Sequence, residues 1–237
     1  MNKTTLMIAE DTKELGKILA EIEEIIIPNN VTSIGDYTFA GCRSIKEITI
    51  PNKVTKIGDY AFEGCDSLKE IVIPNSVTEI GECAFWGCTS LTSITLPVCV
   101  ESIDAGVFAN CSSLASITIP DKVTSIGDFA FKGCSKLSKI DIPNSITFID
   151  EGAFECCTSL TEIAIPDSVI EIREYAFAGC SALVGITIPN SVASIGEGIF
   201  FKCSSLKAIY IDKEKDSLNL RYAEIPKDCK VYWKGEF

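Results

Sequence analysis

The sequence repeats one phrase of 23 residues through most of its length. The first copy is PNNVTSIGDYTFAGCRSIKEITI, and a proline opens each of the eight copies: Pro28, Pro51, Pro74, Pro97, Pro120, Pro143, Pro166 and Pro189. A period of this length is typical of a solenoid, in which a coil buries its apolar face only by stacking on its neighbours. The repeat therefore predicts one continuous core, although 237 residues would allow two globular domains.

Within each copy, hydrophobic residues recur at fixed places. Counting the proline as position 0, Val recurs at +3, Ile at +6, Ala at +10, Phe at +11, Leu at +17, and Ile at +20 and +22. Alternation over the last positions predicts a short strand with its isoleucines inward and the residues at +19 and +21 outward. The next proline ends the strand because it has no N–H to donate. Stacked coils would join these strands into a parallel sheet.

Phenylalanine occupies position +11 in every copy. This column predicts a stack of aromatic rings in the core, and its members are Phe39, Phe62, Phe85, Phe108, Phe131, Phe154, Phe177 and Phe200. Two residues later, glycine at +13 predicts a turn with positive φ, which Asn110 in the fourth copy also tolerates. Cys156 and Lys202 stand at the same position and predict that their coils turn differently.

A second recurrent glycine lies at position +7. Asp104 and Asp150 replace it in the fourth and sixth copies, and a glycine appears two residues later in each, as Gly106 and Gly152. We interpret the later glycines as compensation for the missing ones. Such irregularity indicates a natural array more than a consensus design.

Eight of the twelve cysteines form a second column, at position +14. These are Cys42, Cys65, Cys88, Cys111, Cys134, Cys157, Cys180 and Cys203. One cysteine per coil, without a CxxC pair or any histidine, favours small buried hydrophobes over metal ligands or disulfides. The four outside the column are the candidates for an exposed, oxidisable thiol, and nothing in the sequence marks one of them as tuned: Cys83, Cys99, Cys156 and Cys229.

Charge and missing motifs exclude several functions. A formal net charge of −12 disfavours nucleic acid and anionic membranes as partners. Without histidine or a phosphate-binding loop, we expect no enzyme, no catalytic residues, no cofactor and no metal site. No signal peptide and no apolar run of about 18 residues is visible, which predicts no membrane insertion and a cytoplasmic protein. A cell-surface or secreted location is the alternative if a leader was removed.

The combined pattern LxxIxIPxxVxxIGxxAFxxC resembles the leucine-rich repeats of the BspA-like class, also called the Treponema pallidum type, over about residues 22–211. The resemblance implies a mainly-β, right-handed, curved leucine-rich-repeat solenoid of about eight 23-residue coils plus caps, with its parallel sheet on the concave side. It also implies a family of oral and gut bacteria and protists, many of whose members are surface proteins that bind host proteins. Those surface members carry leaders or anchors, and this sequence shows neither.

The two ends depart from the repeat and are predicted to close the core. We divide the chain into an N-terminal helical cap and half-coil (1–24), a leucine-rich-repeat solenoid (25–211) and a C-terminal cap (212–237). Apolar residues at helical spacing predict a helix over 10–24, which runs into the first strand. The alternating segment 230–234, flanked by lysines, predicts a protected edge strand.

The outward positions of the predicted sheet are the candidate binding site. They are Glu47, Thr49, Glu70, Val72, Ser93, Thr95, Ser116, Thr118, Lys139, Asp141, Glu162, Thr187 and Tyr210. Only Tyr210 is of a type that commonly anchors an interface. A convex or lateral contact through Trp86, Phe129, Phe148 and Phe201 is the competing interpretation.

The sequence thus predicts a non-catalytic protein–protein interaction module, expected to be a monomer, with a protein partner that the sequence does not identify. A secreted or cell-surface adhesin domain, binding host or extracellular-matrix proteins, is the alternative.

Overall fold

The computed structural model describes residue 21 and residues 23–236. Between residues 23 and 236 the chain is a mainly-β parallel solenoid of about nine turns with no helix. Its coils stack with an offset of one repeat, so that Ile25 pairs with Ile48. The predicted solenoid is confirmed.

The described residues form fifteen short strands. In chain order they are β1 (Glu24–Ile26), β2 (Ser33–Ile34), β3 (Glu47–Thr49), β4 (Lys56–Ile57), β5 (Glu70–Val72), β6 (Glu79–Ile80), β7 (Ser93–Thr95), β8 (Ser102–Ile103), β9 (Ser125–Ile126), β10 (Phe148–Ile149), β11 (Glu171–Ile172), β12 (Gly185–Ile188), β13 (Ser194–Ile195), β14 (Ala208–Ile211) and β15 (Lys230–Trp233).

The strands before each proline build the main sheet, which runs the length of the solenoid. It begins with β1, β3, β5 and β7 and ends with β12, β14 and β15, all parallel. Between these groups, single bridges carry the pairing from Thr95 through Thr118, Asp141 and Ala164 to Thr187. The isoleucines at +20 and +22 are buried and the residues between them face outward, as the alternation predicted.

A second parallel sheet uses positions +5 and +6, where the sequence predicted inward isoleucines but no strand. Its parts are β2-β4-β6 and β8-β9-β10-β11-β13. Each strand has two residues, which is too short for alternation to reveal it. Every inward isoleucine from Ile34 to Ile172 at this position is buried, and Ile195 is partly buried.

A third ladder of backbone hydrogen bonds joins the turn regions. In the first coil, the N–H groups of Tyr37, Phe39 and Gly41 donate to carbonyl oxygens of the second coil at 2.9, 2.8 and 2.7 Å. The first and third of these residues have positive φ. Every second N–H group in this turn thus donates to a carbonyl oxygen of the next coil.

The prediction that Cys156 and Lys202 alter the turn is wrong. Their φ values are 60° and 59°, the same as the 60° of Asn110. The N–H of Cys156 donates to Ala178 O at 2.7 Å, as in the glycine-bearing coils. The inter-coil bond thus holds a side-chain-bearing residue in a conformation that costs about 1–2 kcal/mol.

The glycines at +7 and +9 do not compensate for each other. Gly106 and Gly152 lie at +9 with φ of 62° and 56°, a position that is left-handed in every coil, including at Tyr60 with φ of 54°. Glycine at +7 instead allows the backbones of neighbouring coils to approach each other closely. A Cβ on Gly58 would lie 2.6 Å from the backbone nitrogen of Asp36 in the preceding coil.

The second sheet is interrupted once in the described part of the chain, between β6 and β8. Where glycine occupies +7, its N–H donates to the preceding coil, as from Gly81 to Ile57 O at 2.9 Å. Asp104, which replaces that glycine in the fourth coil, makes no such bond. Asp150 makes a longer bond of 3.3 Å, whereas Arg173 keeps one of 2.8 Å, and nothing in the structure explains that difference.

The core is one cluster that follows the axis of the solenoid. The phenylalanines from Phe39 to Phe177 stack with ring centroids 5.2–5.8 Å apart. Seven of the column, Phe62 to Phe200, are fully buried, and Phe39 is partly buried at the first coil. The predicted aromatic stack is confirmed.

At the ends, the structure describes only part of what the sequence predicts. The helix expected over 10–24 lies almost wholly outside the described residues, and Glu24 itself begins β1. At the other end, β15 is the edge strand that the alternation of 230–234 predicted, and it pairs in parallel with β14. Trp233 is buried and contributes to the closing layer of the core.

Candidate functional site

All thirteen predicted site residues lie on the outer surface of the main sheet, which we call the main sheet face. Strand register arranges them in two parallel rows, one at +19 and one at +21. Twelve are exposed, and Tyr210 is partly buried. The structure therefore brings together on one surface the residues that the sequence selected.

The chemistry of the main sheet face changes along its length. The N-terminal end carries the exposed side chains of Glu47, Glu70 and Val72. The middle carries serine and threonine side chains. Beyond them lies Lys139, whose Nζ is 3.7 Å from an Asp141 carboxylate oxygen. A shallow hollow of about 230 Å³ lies between the fourth and fifth coils there.

The C-terminal end of the main sheet face carries a pair of aromatic rings. Tyr210 and Tyr232 are paired in register on β14 and β15, with ring centroids 5.3 Å apart and planes 13° apart. The small residues Gly185 and Ala208 lie beside them. Sequence reasoning missed Tyr232, although the alternation of 230–234 carried the signal that would place it outward.

The four aromatic residues of the competing interpretation are spread over other surfaces. Trp86 and Phe201 are exposed, whereas Phe129 and Phe148 are partly buried. Three of them already hold a cation of this chain over the ring: Lys132 on Phe129, Arg173 on Phe148 and Lys202 on Phe201, at 4.9, 5.4 and 5.0 Å. They do not form one contiguous row as the main sheet residues do.

All eight cysteines of the +14 column are buried, and no cysteine is in a disulfide. From Cys65 to Cys203, each thiol donates a hydrogen bond of 3.1–3.3 Å to the carbonyl oxygen of the phenylalanine 26 residues earlier. Burial raises the pKa of Cys134 to about 12. The column therefore consists of protonated structural thiols rather than nucleophiles.

The remaining cysteines differ in exposure. Cys156 is exposed, and Cys83, Cys99 and Cys229 are partly buried. Desolvation raises the pKa of both Cys83 and Cys229. Residues 21 and 23–236 contain no group of three or more histidine, cysteine or acidic side chains that could hold a metal ion.

Over the same described range, the chain has no helix long and apolar enough to cross a membrane.

Short parallel strands in 23-residue register, a stacked phenylalanine core and an exposed sheet define a leucine-rich-repeat protein. The model of the BspA type leucine-rich repeat region matches six copies, over residues 18–123 and 101–223. The chain belongs to this BspA-type family. Comparison with curated proteins finds no match.

Several solved structures are similar to this chain. A leucine-rich cell surface protein from Faecalibacterium prausnitzii is 34% identical over 81% of the chain, with a TM-score of 0.59. The leucine-rich repeat protein of T. pallidum is 27% identical over 76% of each chain, with a TM-score of 0.58. A leucine-rich repeat protein from Eubacterium ventriosum is 27% identical over 84% of this chain, with a TM-score of 0.60. The match spans 60% of the F. prausnitzii chain and 46% of the E. ventriosum chain.

Proposed function

We propose that this protein is a non-catalytic interaction module that binds a protein partner through the main sheet face. The observation that carries the proposal is the contrast, within each coil, between recurrent residues that are buried and variable residues that are exposed. Recurrent residues such as Phe131 and Cys134 are buried, whereas the two exposed rows of the main sheet vary from coil to coil. A rigid scaffold with a variable, uncovered face suits recognition of one partner.

A second candidate function is that of a cell-surface or secreted adhesin domain. It is favoured by the F. prausnitzii relative, which is described as a cell surface protein. Both functions use the same face, and they differ in the compartment where the partner is met. The chain by itself is proposed to be a monomer, because its net charge of −12 repels its own copies.

The test is capture of partners from the source organism or its surroundings, followed by affinity measurement with purified components. We expect Tyr210→Ala combined with Glu70→Lys to lower the affinity. The matched control is Tyr222→Ala with Glu101→Lys, which removes one exposed tyrosine and inverts one charge away from the main sheet. Melting temperatures of both variants establish that each remains folded, since losing the stack of Tyr210 on Tyr232 costs about 0.5–1.5 kcal/mol beyond the lost burial. Equal affinity of the two variants would reject the main sheet face as the site.

A further inference from the structure

Two parallel rows of opposite character lie at the N-terminal end of the main sheet face. One row consists of the glutamates at +19, where Glu24 pairs with Glu47 and Glu70 follows one coil later. The other row, at +21, consists of Ile26, Thr49 and Val72, paired in register across β1, β3 and β5. We call these two rows the acidic–aliphatic patch.

The two aliphatic side chains of the +21 row are largely exposed to solvent. Ile26 is 79% exposed and Val72 is 73% exposed. The same repeat position carries Thr95, Thr118 and Asp141 in the following coils. Covering an exposed isoleucine or valine side chain removes apolar surface from water, so these two side chains favour a partner that covers them.

Glu47 and Glu70 form no ion pair within the described part of the chain. Among the described residues, neither Glu47 nor Glu70 has a lysine or arginine nitrogen within 4.0 Å. Lys46 and Lys69 precede them in the sequence but form no ion pair with them. Farther along the same face, by contrast, Lys139 lies within 4.0 Å of both Asp141 and Glu162.

Like charges one strand apart repel each other, because neighbouring strands are about 4.8 Å apart. The Glu47–Glu70 pair is therefore destabilising in the free protein, and a cation from a partner would relieve the repulsion. The glutamates, which favour a cation, and the exposed aliphatic side chains, which favour an apolar group, therefore lie in adjacent rows of the same strands.

We propose that the acidic–aliphatic patch binds an extended, basic segment of a protein partner in which lysine or arginine alternates with aliphatic residues. In an extended segment, successive side chains point to opposite sides. A segment lying between the two rows, along the solenoid axis, directs its cations to Glu47 and Glu70 and its aliphatic side chains to Ile26 and Val72. This inference rests on the proposed function and specifies the chemistry of the partner.

The test uses a fluorescently labelled hexapeptide of alternating lysine and valine, with binding followed by anisotropy at low ionic strength. Two further peptides serve as controls, one alternating glutamate with valine and one alternating lysine with serine. We expect the Lys–Val peptide to bind at least tenfold more tightly than the Glu–Val peptide and several-fold more tightly than the Lys–Ser peptide. Equal binding of Lys–Val and either control peptide overturns the proposal.

Variants of the protein separate this patch from bulk charge. Glu47→Gln with Glu70→Gln should weaken Lys–Val binding about tenfold, and Val72→Ser should weaken it several-fold. The control, Glu101→Gln with Glu197→Gln, removes the same charge at two exposed positions outside the main sheet face and should leave binding unchanged. An equal loss in the control double variant overturns the proposal, because attraction would then come from the net charge.

The outcome is distinguishable from that of the proposed function. The proposed function stands and the present inference fails if affinity for a captured partner depends on Tyr210 and Glu70 while binding of the Lys–Val peptide is unchanged by the substitutions at Glu47, Glu70 and Val72. If neither the partner nor the peptide depends on the main sheet face, both fail.

Discussion

The thiol of Cys134 donates a hydrogen bond of 3.2 Å to the carbonyl oxygen of Phe108, one coil earlier in the core. The same oxygen accepts the N–H of Cys111 at 3.1 Å. The thiol thus satisfies the second lone pair of a carbonyl that is buried among side chains. Cysteine suits the +14 column because it is a small hydrophobe and also a weak donor.

Cys134→Ala should lower the free energy of unfolding by about 1–2 kcal/mol, because it leaves a small void and removes this hydrogen bond. Chemical denaturation at pH 7 under reducing conditions measures the loss. Cys156→Ala is the control: that side chain is exposed, and the change should stay within about 0.5 kcal/mol. Equal losses for the two variants would contradict a structural role for the column.

Alkaline pH should destabilise the protein through the same thiols. Burial raises the pKa of Cys134 from its ordinary 9.0 to about 12, so the unfolded chain loses this proton at lower pH than the folded one. The stability is present below pH 9 and is lost as pH rises from 9 towards 12, by about 1.4 kcal/mol per pH unit for each such thiol. Denaturation between pH 8 and 10 should show a shallower decline for Cys134→Ala than for the wild type. An identical slope would rule out Cys134 as a contributor.

Thiol reagents should distinguish Cys156 from the buried column. Native protein treated with an excess of aromatic disulfide at pH 8 should show one fast-reacting thiol, because Cys156 is exposed while Cys83, Cys99 and Cys229 are partly buried. Cys156→Ser should abolish the fast phase. The eight column thiols should react only on unfolding. Rapid modification of a column residue such as Cys111 would mean that the core opens more readily than its burial indicates.

Phe131→Ala should destabilise the solenoid by about 3–5 kcal/mol, since this ring is fully buried and stacks on Phe108 and Phe154 at 5.5 Å on each side. Phe39→Ala should cost less, because Phe39 is partly buried and stacks on Phe62 alone. Thermal and chemical denaturation of the pair compare the two positions. A larger loss at Phe39 would be inconsistent with a core that is best packed in its middle coils.

Gly58→Ala should lower the free energy of unfolding by about 1–3 kcal/mol through overpacking. The new Cβ would lie 2.6 Å from the backbone nitrogen of Asp36 and 2.8 Å from the carbonyl carbon of Gly35. Gly35→Ala is the matched control at the same repeat position. Its Cβ would meet only the Thr38 hydroxyl, at 3.4 Å, so this change should be neutral or slightly stabilising. Calorimetric melting temperatures measure the difference, and similar shifts for both variants would discount close approach between coils.

The sequence predicted the parts of the fold where one residue type repeats for one reason. The phenylalanine at +11 (Phe131 in the fifth coil) and the isoleucines at +20 and +22 signal burial along the array, and the proline marks the strand ends. Position +9 was missed because its left-handed backbone is occupied by Tyr37, Tyr60 and Phe129 as well as by glycine. There, inter-coil hydrogen bonds outweigh local preference, and only the glycines of three coils carried a signal.

The candidate site was predictable in its placement and not in its contacts. Alternation placed Glu70 and Val72 outward, which the structure shows. The stacking of Tyr210 on Tyr232 depends on how the last strand aligns with the solenoid, and no repeat fixes that alignment. The ion pairs of Lys139 depend likewise on side-chain geometry between coils.

The gap between β6 and β8 gives the solenoid a mechanical weak point. Tension along the axis is shared among parallel ladders of hydrogen bonds, and beside Asp104 one of those ladders carries no load. The main sheet crosses the same boundary by a single bridge from Thr95 to Thr118. Pulled from its two ends, the protein should part first between its third and fourth coils, leaving the acidic–aliphatic patch on the shorter piece.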